Sequence, residues 1–409
     1  MRISLLLERE PFPEILERTL GNFWSQAYGR PVCLKWHRSF SSRIPIDSGV
    51  QIWYVNGYLN SIFIPRANAP IFEPIRAEFS HSLAFWRRPL QKAYVHAALT
   101  WPASLFLSQA SLNVRPVIPN AENILIIAGN QKIRLVDAAR GESTAILKKG
   151  FRPYFFEREL ESRSRAARLG LPVPELMQVA EDRSWFTEER ISGTPLNRLE
   201  DNSQAQLGTR LALGELQRFV EEYSLSVPVS DYADSLSDRI NQQIKNIHLL
   251  DAGQEDNLLI TARELHREAT MPMSTESGHI MLSTVHGDFQ AANILFEDGR
   301  VWIVDWEYSD QRQSVYDLLT LFCSSRHPEG LAERLRRFEK NPATLGPEIP
   351  ENWPGLDISS AEKRHRMISL FLLEELLLHL CENANPLFRQ LGKGLEQIQT
   401  ESLRWLNKT

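Results

Sequence analysis

The spacing of apolar positions changes along the chain, and each change predicts an element. Ile15, Leu16, Leu20, Phe23 and Trp24 recur at helical spacing and predict a helix over residues 13–28. Residues 50–65 predict a β pair around Asn56-Gly57. Residues 76–107 predict mostly helix, broken at Pro89 and Pro102. From residue 123 to 149 the pattern predicts three strands, 124–128, 132–136 and 144–149, with Gly129-Asn130-Gln131 as the first turn. Residues 153–169 predict a helix and 185–188 a strand. Amphipathic helices are expected over 204–224, through Leu207, Leu211, Leu216, Phe219 and Val220, and then over 231–250 and 256–269. Residues 280–285 predict a strand, Tyr316-Asp317-Leu318-Leu319 opens a helix, and 361–383 and 385–405 close the chain as helices.

One stretch organises the rest. Residues 293–296 and 301–304 are short apolar runs, and Asp298-Gly299 stands between them, a strong hairpin signal. Centring the turn there pairs Phe296 with Val301, Ile294 with Ile303 and Asn293 with Val304. Asn293 and Asp305 then emerge side by side at the open end, roughly 5–6 Å apart by cross-strand spacing. Asp288 lies just upstream, on the loop entering the first strand. Three oxygen-bearing side chains thus converge, and an amide oxygen and a carboxylate there suit a hard cation such as magnesium.

The order His286-x-Asp288-x4-Asn293, followed by Asp305, resembles the aminoglycoside phosphotransferase/choline kinase-like family, relatives of the protein kinases. The resemblance implies a two-lobed, protein-kinase-like α+β fold: a small antiparallel β lobe over a mainly helical large lobe. It divides the chain into an N-terminal accessory α/β region of 1–120, a nucleotide lobe of 121–192 and a large lobe of 193–409. It implies that Asp288 accepts the proton of an attacking hydroxyl, while Asn293 and Asp305 hold Mg2+ on the phosphates of ATP. Ala145-Ile146-Leu147-Lys148 resembles the family's lysine strand, so Lys148 would contact the α/β-phosphates, with Lys149 the alternative because side chains alternate faces. Glu159, in Arg158-Glu159-Leu160-Glu161, would pair with Lys148. The same resemblance makes His286 structural and lets Asp317 tie the catalytic loop to its helix, although helix capping explains an acid there equally well. Two departures stand out. The phosphate loop has one glycine, Gly129, and Gln290 stands where many relatives have histidine.

Composition narrows the picture. Hydrophobic residues make up 43% and charged residues 24% of 409, ordinary values for a soluble globular chain. The net charge of -5 is divided unevenly: residues 193–409 hold 33 acidic and 21 basic side chains, leaving residues 1–192 with a basic excess of 7. An acidic large lobe fits a cationic or neutral polyhydroxyl acceptor such as an aminoalcohol, sugar or aminoglycoside. Cys33, Cys323 and Cys381 form no paired or metal spacing, which points to a reducing, cytoplasmic setting. The stretch 367–381 is apolar but carries Glu374, Glu375 and His379, so no membrane span is expected. No clustered basic patch points to nucleic acid. The five tryptophans of the first region read as aromatic core. The expected activity is transfer of the γ-phosphoryl group of ATP to a small-molecule hydroxyl. A protein-kinase-like enzyme, or a non-catalytic ATP-binding scaffold with residues 1–120 as its protein-partner face, are the alternatives.

Overall fold

The computed structural model describes residues 2–44, 49–66, 69–79, 85–272, 278–346, 348–350 and 352–407. The chain packs as two units, one of residues 1–153 with 175–190, the other of 154–174 with 191–409.

The first unit is built on one nine-stranded antiparallel sheet. Its strands are β1 (Cys33–His37), β2 (Gln51–Asn56), β3 (Ser61–Phe63), β4 (Ala110–Arg115), β5 (Ile124–Ala128), β6 (Lys132–Asp137), β7 (Glu142–Leu147), β8 (Leu176–Val179) and β9 (Trp185–Glu189). They lie in the order β1-β4-β2-β3-β5-β6-β7-β9-β8. The three strands expected over 123–149 are β5 to β7, and the pair expected around Asn56-Gly57 is β2 with β3. The seam is β3 against β5, Ile62 opposite Ile126, so strands from residues 1–120 continue the sheet that follows them.

Alternation of side chains sends neighbouring residues of this sheet into different cores. Ile126, Ile133 and Ile146 pack with Ile3 and Leu6 of α1 (Ile3–Arg9) and with Leu16, Leu20 and Trp24 of α2 (Phe12–Tyr28). Leu125 goes instead with Phe72, Ile75, Val95 and Leu99, the last four lying on or beside α3 (Glu73–Phe79) and α4 (Arg88–Leu99). A short α5 (Ala103–Leu107) follows Pro102. Pro89 does not break a helix but sits in the first turn of α4, where its missing N–H is harmless. The part of the expected helix over 80–84 lies outside the described residues. Of the tryptophans expected in the core, Trp24 and Trp53 are buried and in ring contact at 5.8 Å, whereas Trp86 and Trp101 are exposed.

The second unit is mainly helical. It contains α6 (Tyr154–Arg168), α7 (Asn202–Glu222), α8 (Val229–Asn246), α9 (Ala252–Thr270), α10 (Tyr316–Phe322), α11 (Leu331–Lys340), α12 (Ala361–Asn383) and α13 (Lys393–Leu406). Two small antiparallel sheets lie among them. One joins β10 (Thr194–Pro195), β13 (Ile294–Glu297) and β14 (Arg300–Ile303); the other joins β11 (Leu225–Pro228), β12 (His279–Val285) and β15 (Asp310–Gln313). An antiparallel sheet unit and a mainly helical unit make the α+β class that the motifs imply. Among the described residues, no helix is long and apolar enough to cross a membrane.

The helix α12 is the core of this unit and is apolar almost all round, which is why two of its carboxylates are fully buried. Glu374 accepts hydrogen bonds from Tyr232 Oη at 2.6 Å, the Gln313 backbone N–H at 2.7 Å and Gln313 Nε2 at 2.7 Å. Burial nevertheless pushes its pKa from 4.5 up to about 7, against those bonds. A carboxyl whose folded pKa is raised holds its proton more tightly in the fold. The resulting stabilisation is complete below about pH 4.5 and lost as pH rises through about 7. Glu374→Gln removes the titration. Denaturant unfolding at pH 5 and pH 8 is expected to show the variant gaining about 1–3 kcal/mol on the wild type at the higher pH. A difference that is the same at both values would contradict this.

Candidate active site

The hairpin forms where the sequence puts it. Asp298 and Gly299 take φ values of +50° and +79°, the left-handed pair that a two-residue turn requires. Ile294 faces Ile303, Phe296 faces Val301, and beyond the ladder Val304 N–H donates to Asn293 O at 3.0 Å. Asn293 and Asp305 therefore leave the open end together, as expected. Val285, Phe289, Ile294, Ile303 and Trp306 are buried beneath the loop and fix it from below.

The loop backbone is held by a carboxylate. Asp317, fully buried at the start of α10, accepts from His286 N–H at 2.7 Å and from Gly287 N–H at 2.9 Å. Its function as a tie is thus seen directly; α10 begins after Val315 with no side-chain cap. Gly287 has φ +85°, and a Cβ there would stand 2.0 Å from Tyr308 O, so only glycine fits. His286 is buried and accepts from Asp288 N–H through Nδ1 at 3.2 Å, which leaves Nε2 to donate to Val304 O at 3.0 Å. Its ring lies 4.6 Å from that of Trp306. Burial lowers its pKa, so it stays a neutral brace between loop and hairpin.

Asp288, 6% exposed, is the focus of the loop. Its Oδ1 accepts from Arg326 Nε at 2.6 Å, its Oδ2 from Asn293 Nδ2 at 2.7 Å, and Gln290 Nε2 stands 3.1 Å from both oxygens. Burial pushes its pKa up to about 6; the guanidinium of Arg326 pulls it down, and the charge of Asp305 pushes it further up. Arg326 is itself anchored by Glu375 at 2.9 Å, by Tyr316 Oη at 3.1 Å and by Gly287 O, and Glu375 in turn takes the Tyr316 hydroxyl. No motif or spacing in the sequence points to Arg326. It lies 38 residues beyond Asp288, in a turn with no periodic pattern. Gln290, noted as a departure, now has a contact: its amide donates to the carboxylate.

Asp305 has φ +68°, a left-handed conformation that is uncommon for a residue with a Cβ and is maintained only where surroundings impose it. It is half-buried at the end of β14. Among the described residues no three His, Cys, Asp or Glu side chains gather as a metal group. The residues that could hold a hard cation here are one amide, Asn293, and one carboxylate, Asp305. Asn293 spends its Nδ2 on Asp288, so its oxygen is the atom that could meet a cation, and hard oxygen donors of this type fit Mg2+.

The other two expected residues belong to other parts of the chain. Lys148, fully buried just past β7 in the first unit, lies 2.6 Å from Glu10 Oε1 and 3.0 Å from Asn130 O. Lys149 is exposed, and its N–H donates to Thr19 Oγ1 at 2.9 Å. Glu159 is buried on α6 in the second unit. The loop with Asp288 and the hairpin with Asn293 and Asp305 thus lie within the second unit.

A buried acid on a tied loop, an amide five residues on and a second acid closing the next hairpin define the kinase-like phosphotransferases. Residues 127–348 match the model of the phosphotransferase enzyme family, and the chain belongs to that family. No curated protein matches the chain. Among solved structures it is similar to a choline/ethanolamine kinase family protein from Mesorhizobium loti, at 18% identity over 72% of this chain and 92% of that one, with a TM-score of 0.42. It is also similar to a thermostable mutant of aminoglycoside phosphotransferase APH(4)-Ia, at 15% identity over 70% and 95%, with a TM-score of 0.46. A third is choline kinase LicA from Streptococcus pneumoniae, at 12% identity over 72% and 92%, with a TM-score of 0.43. The chain is a phosphotransferase.

The tie has a measurable worth. Asp317→Ala leaves two buried backbone N–H groups without an acceptor, each worth about 1–3 kcal/mol. Chemical denaturation is expected to show a loss of about 2–5 kcal/mol, and a loss under about 0.5 kcal/mol would mean that the loop is held by other contacts.

Proposed function

We propose that the protein transfers the γ-phosphoryl group of ATP to a hydroxyl of a small molecule, with Asp288 as the base. The observation that carries this reading is the Asp288 carboxylate itself. It is buried, oriented on both oxygens by Arg326, Asn293 and Gln290, and its proton affinity is raised toward neutrality. A base so placed suits a weakly acidic alcohol. The acceptor oxygen forms its bond to the γ-phosphorus as the bond to the ADP oxygen breaks, and the alcohol proton passes to an Asp288 oxygen. Asn293 and Asp305 would hold Mg2+, which when bound neutralises phosphate charge. Lys148 would meet the α/β-phosphates, with Glu159 as the acid that positions it. Most of the acceleration in such a site comes from positioning and charge neutralisation.

The acceptor class follows from charge. The acidic excess of the 193–409 segment favours a cationic or neutral polyhydroxyl compound such as an aminoalcohol, sugar or aminoglycoside. Cys33, Cys323 and Cys381 are free thiols, which supports a cytoplasmic location.

The test is ADP release from Mg-ATP with a panel of sugars, aminoalcohols and aminoglycosides. At least one acceptor is expected to stimulate release. Asp288→Ala and Asp305→Ala are expected to lower that rate by at least about a thousandfold with folding preserved by circular dichroism. Wild-type turnover by purified Asp288→Ala would refute the mechanism.

A further inference from the structure

The ammonium of Lys148 is enclosed within the first unit by the start of the chain. Its partner Glu10, 138 residues earlier, is as fully buried as the lysine, at 2.6 Å. The rings of Phe12 and Phe151 lie 5.6 and 5.0 Å from Nζ. Glu10 and Phe12 flank Pro11 at the junction of α1 and α2, so this junction closes over the end of β7. An ammonium enclosed in this way meets no phosphate until the junction yields.

Two features make Glu10 a replaceable partner. Its second oxygen, Oε2, is buried with no hydrogen bond, so the carboxylate has lost its water for a single strong contact. Burial accordingly raises its pKa in spite of Lys148. A triphosphate brings the same ammonium more negative charge and more oxygens. The two helices on either side are held unequally. In α1 Ile3, Leu6 and Arg9 are buried and Ile3 N–H donates to Asn60 Oδ1 at 2.8 Å, while α2 buries Phe12, Ile15, Leu16, Thr19, Leu20 and Trp24. The segment with fewer apolar anchors is α1 with Glu10, joined to α2 at Pro11.

We propose that Glu10 is an autoinhibitory stand-in for phosphate: the α1–Glu10 segment occupies Lys148 until a nucleoside triphosphate displaces it. This rests on Lys148 being the phosphate lysine of the function proposed above. Residues 1–10 then act as a built-in competitor for nucleotide.

The experiment is calorimetric titration of the full chain with Mg-ATP, comparing wild type, Glu10→Gln and Glu10→Gln combined with Lys148→Met. Glu10→Gln is expected to bind about tenfold more tightly than wild type, and the added Lys148→Met to abolish that gain. Equal affinity of wild type and Glu10→Gln overturns the gate and leaves the nucleotide reading standing. Binding by none of the three overturns both. A gain that survives Lys148→Met overturns the assignment of Lys148 and the gate with it. A second measurement needs no variant. Hydrogen exchange on the wild type is expected to speed up at the amides of Ile3–Arg9 when Mg-ATP saturates the protein, and unchanged exchange there overturns the proposal.

Discussion

A single carboxylate pinning two backbone amides underlies the rest of this site. Asp317 takes the N–H groups of His286 and Gly287, and Gly287 lies so close to Tyr308 that no side chain fits. These two constraints set where Asp288 stands. Removing an acceptor from a buried amide is expensive, so the loop has little freedom to relax elsewhere. His286 then carries the position across to the hairpin through Val304. Loop and hairpin become one rigid body, which is what a reaction that depends on positioning requires.

Charge on the loop is balanced from behind. Arg326 faces Asp288 on one side and Glu375 on the other, both short ion pairs in a buried setting. A buried guanidinium with two carboxylate partners is costly to build, but the loss of one carboxylate still leaves it paired with the other. Its effect on Asp288 is opposed by burial and by Asp305, and the outcome is a carboxylate nearer neutrality than an exposed aspartate. Gln290 and Asn293 fix the oxygen directions without adding charge.

What was legible in the sequence was local. Asp298-Gly299 between two apolar runs gave the turn, the register and so the meeting of Asn293 with Asp305, because a two-residue turn leaves no freedom in pairing. Helices whose apolar residues recur at helical spacing, such as α2 and α8, were legible from that local repeat. Contacts made at long sequence separation were not. Arg326 reaches Asp288 across 38 residues, and Glu10 reaches Lys148 across 138, with nothing near either residue to announce it. The strands β1 and β4 carry no local hairpin signal, because their partners are each other and β2, not sequence neighbours. Asp317 was ambiguous on its own, since an acid opening a helix serves equally as a cap; only the two amides it accepts decide the matter.

We propose that the loop-hairpin end seats a divalent ion together with a triphosphate. The most direct measurement is electron paramagnetic resonance of Mn2+, standing in for Mg2+, titrated into the protein with ATP present. Wild type is expected to take up Mn2+ with ATP, and Asp305→Asn and Asn293→Ala each to weaken this uptake by about tenfold or more. Equal uptake by wild type and both variants would contradict it.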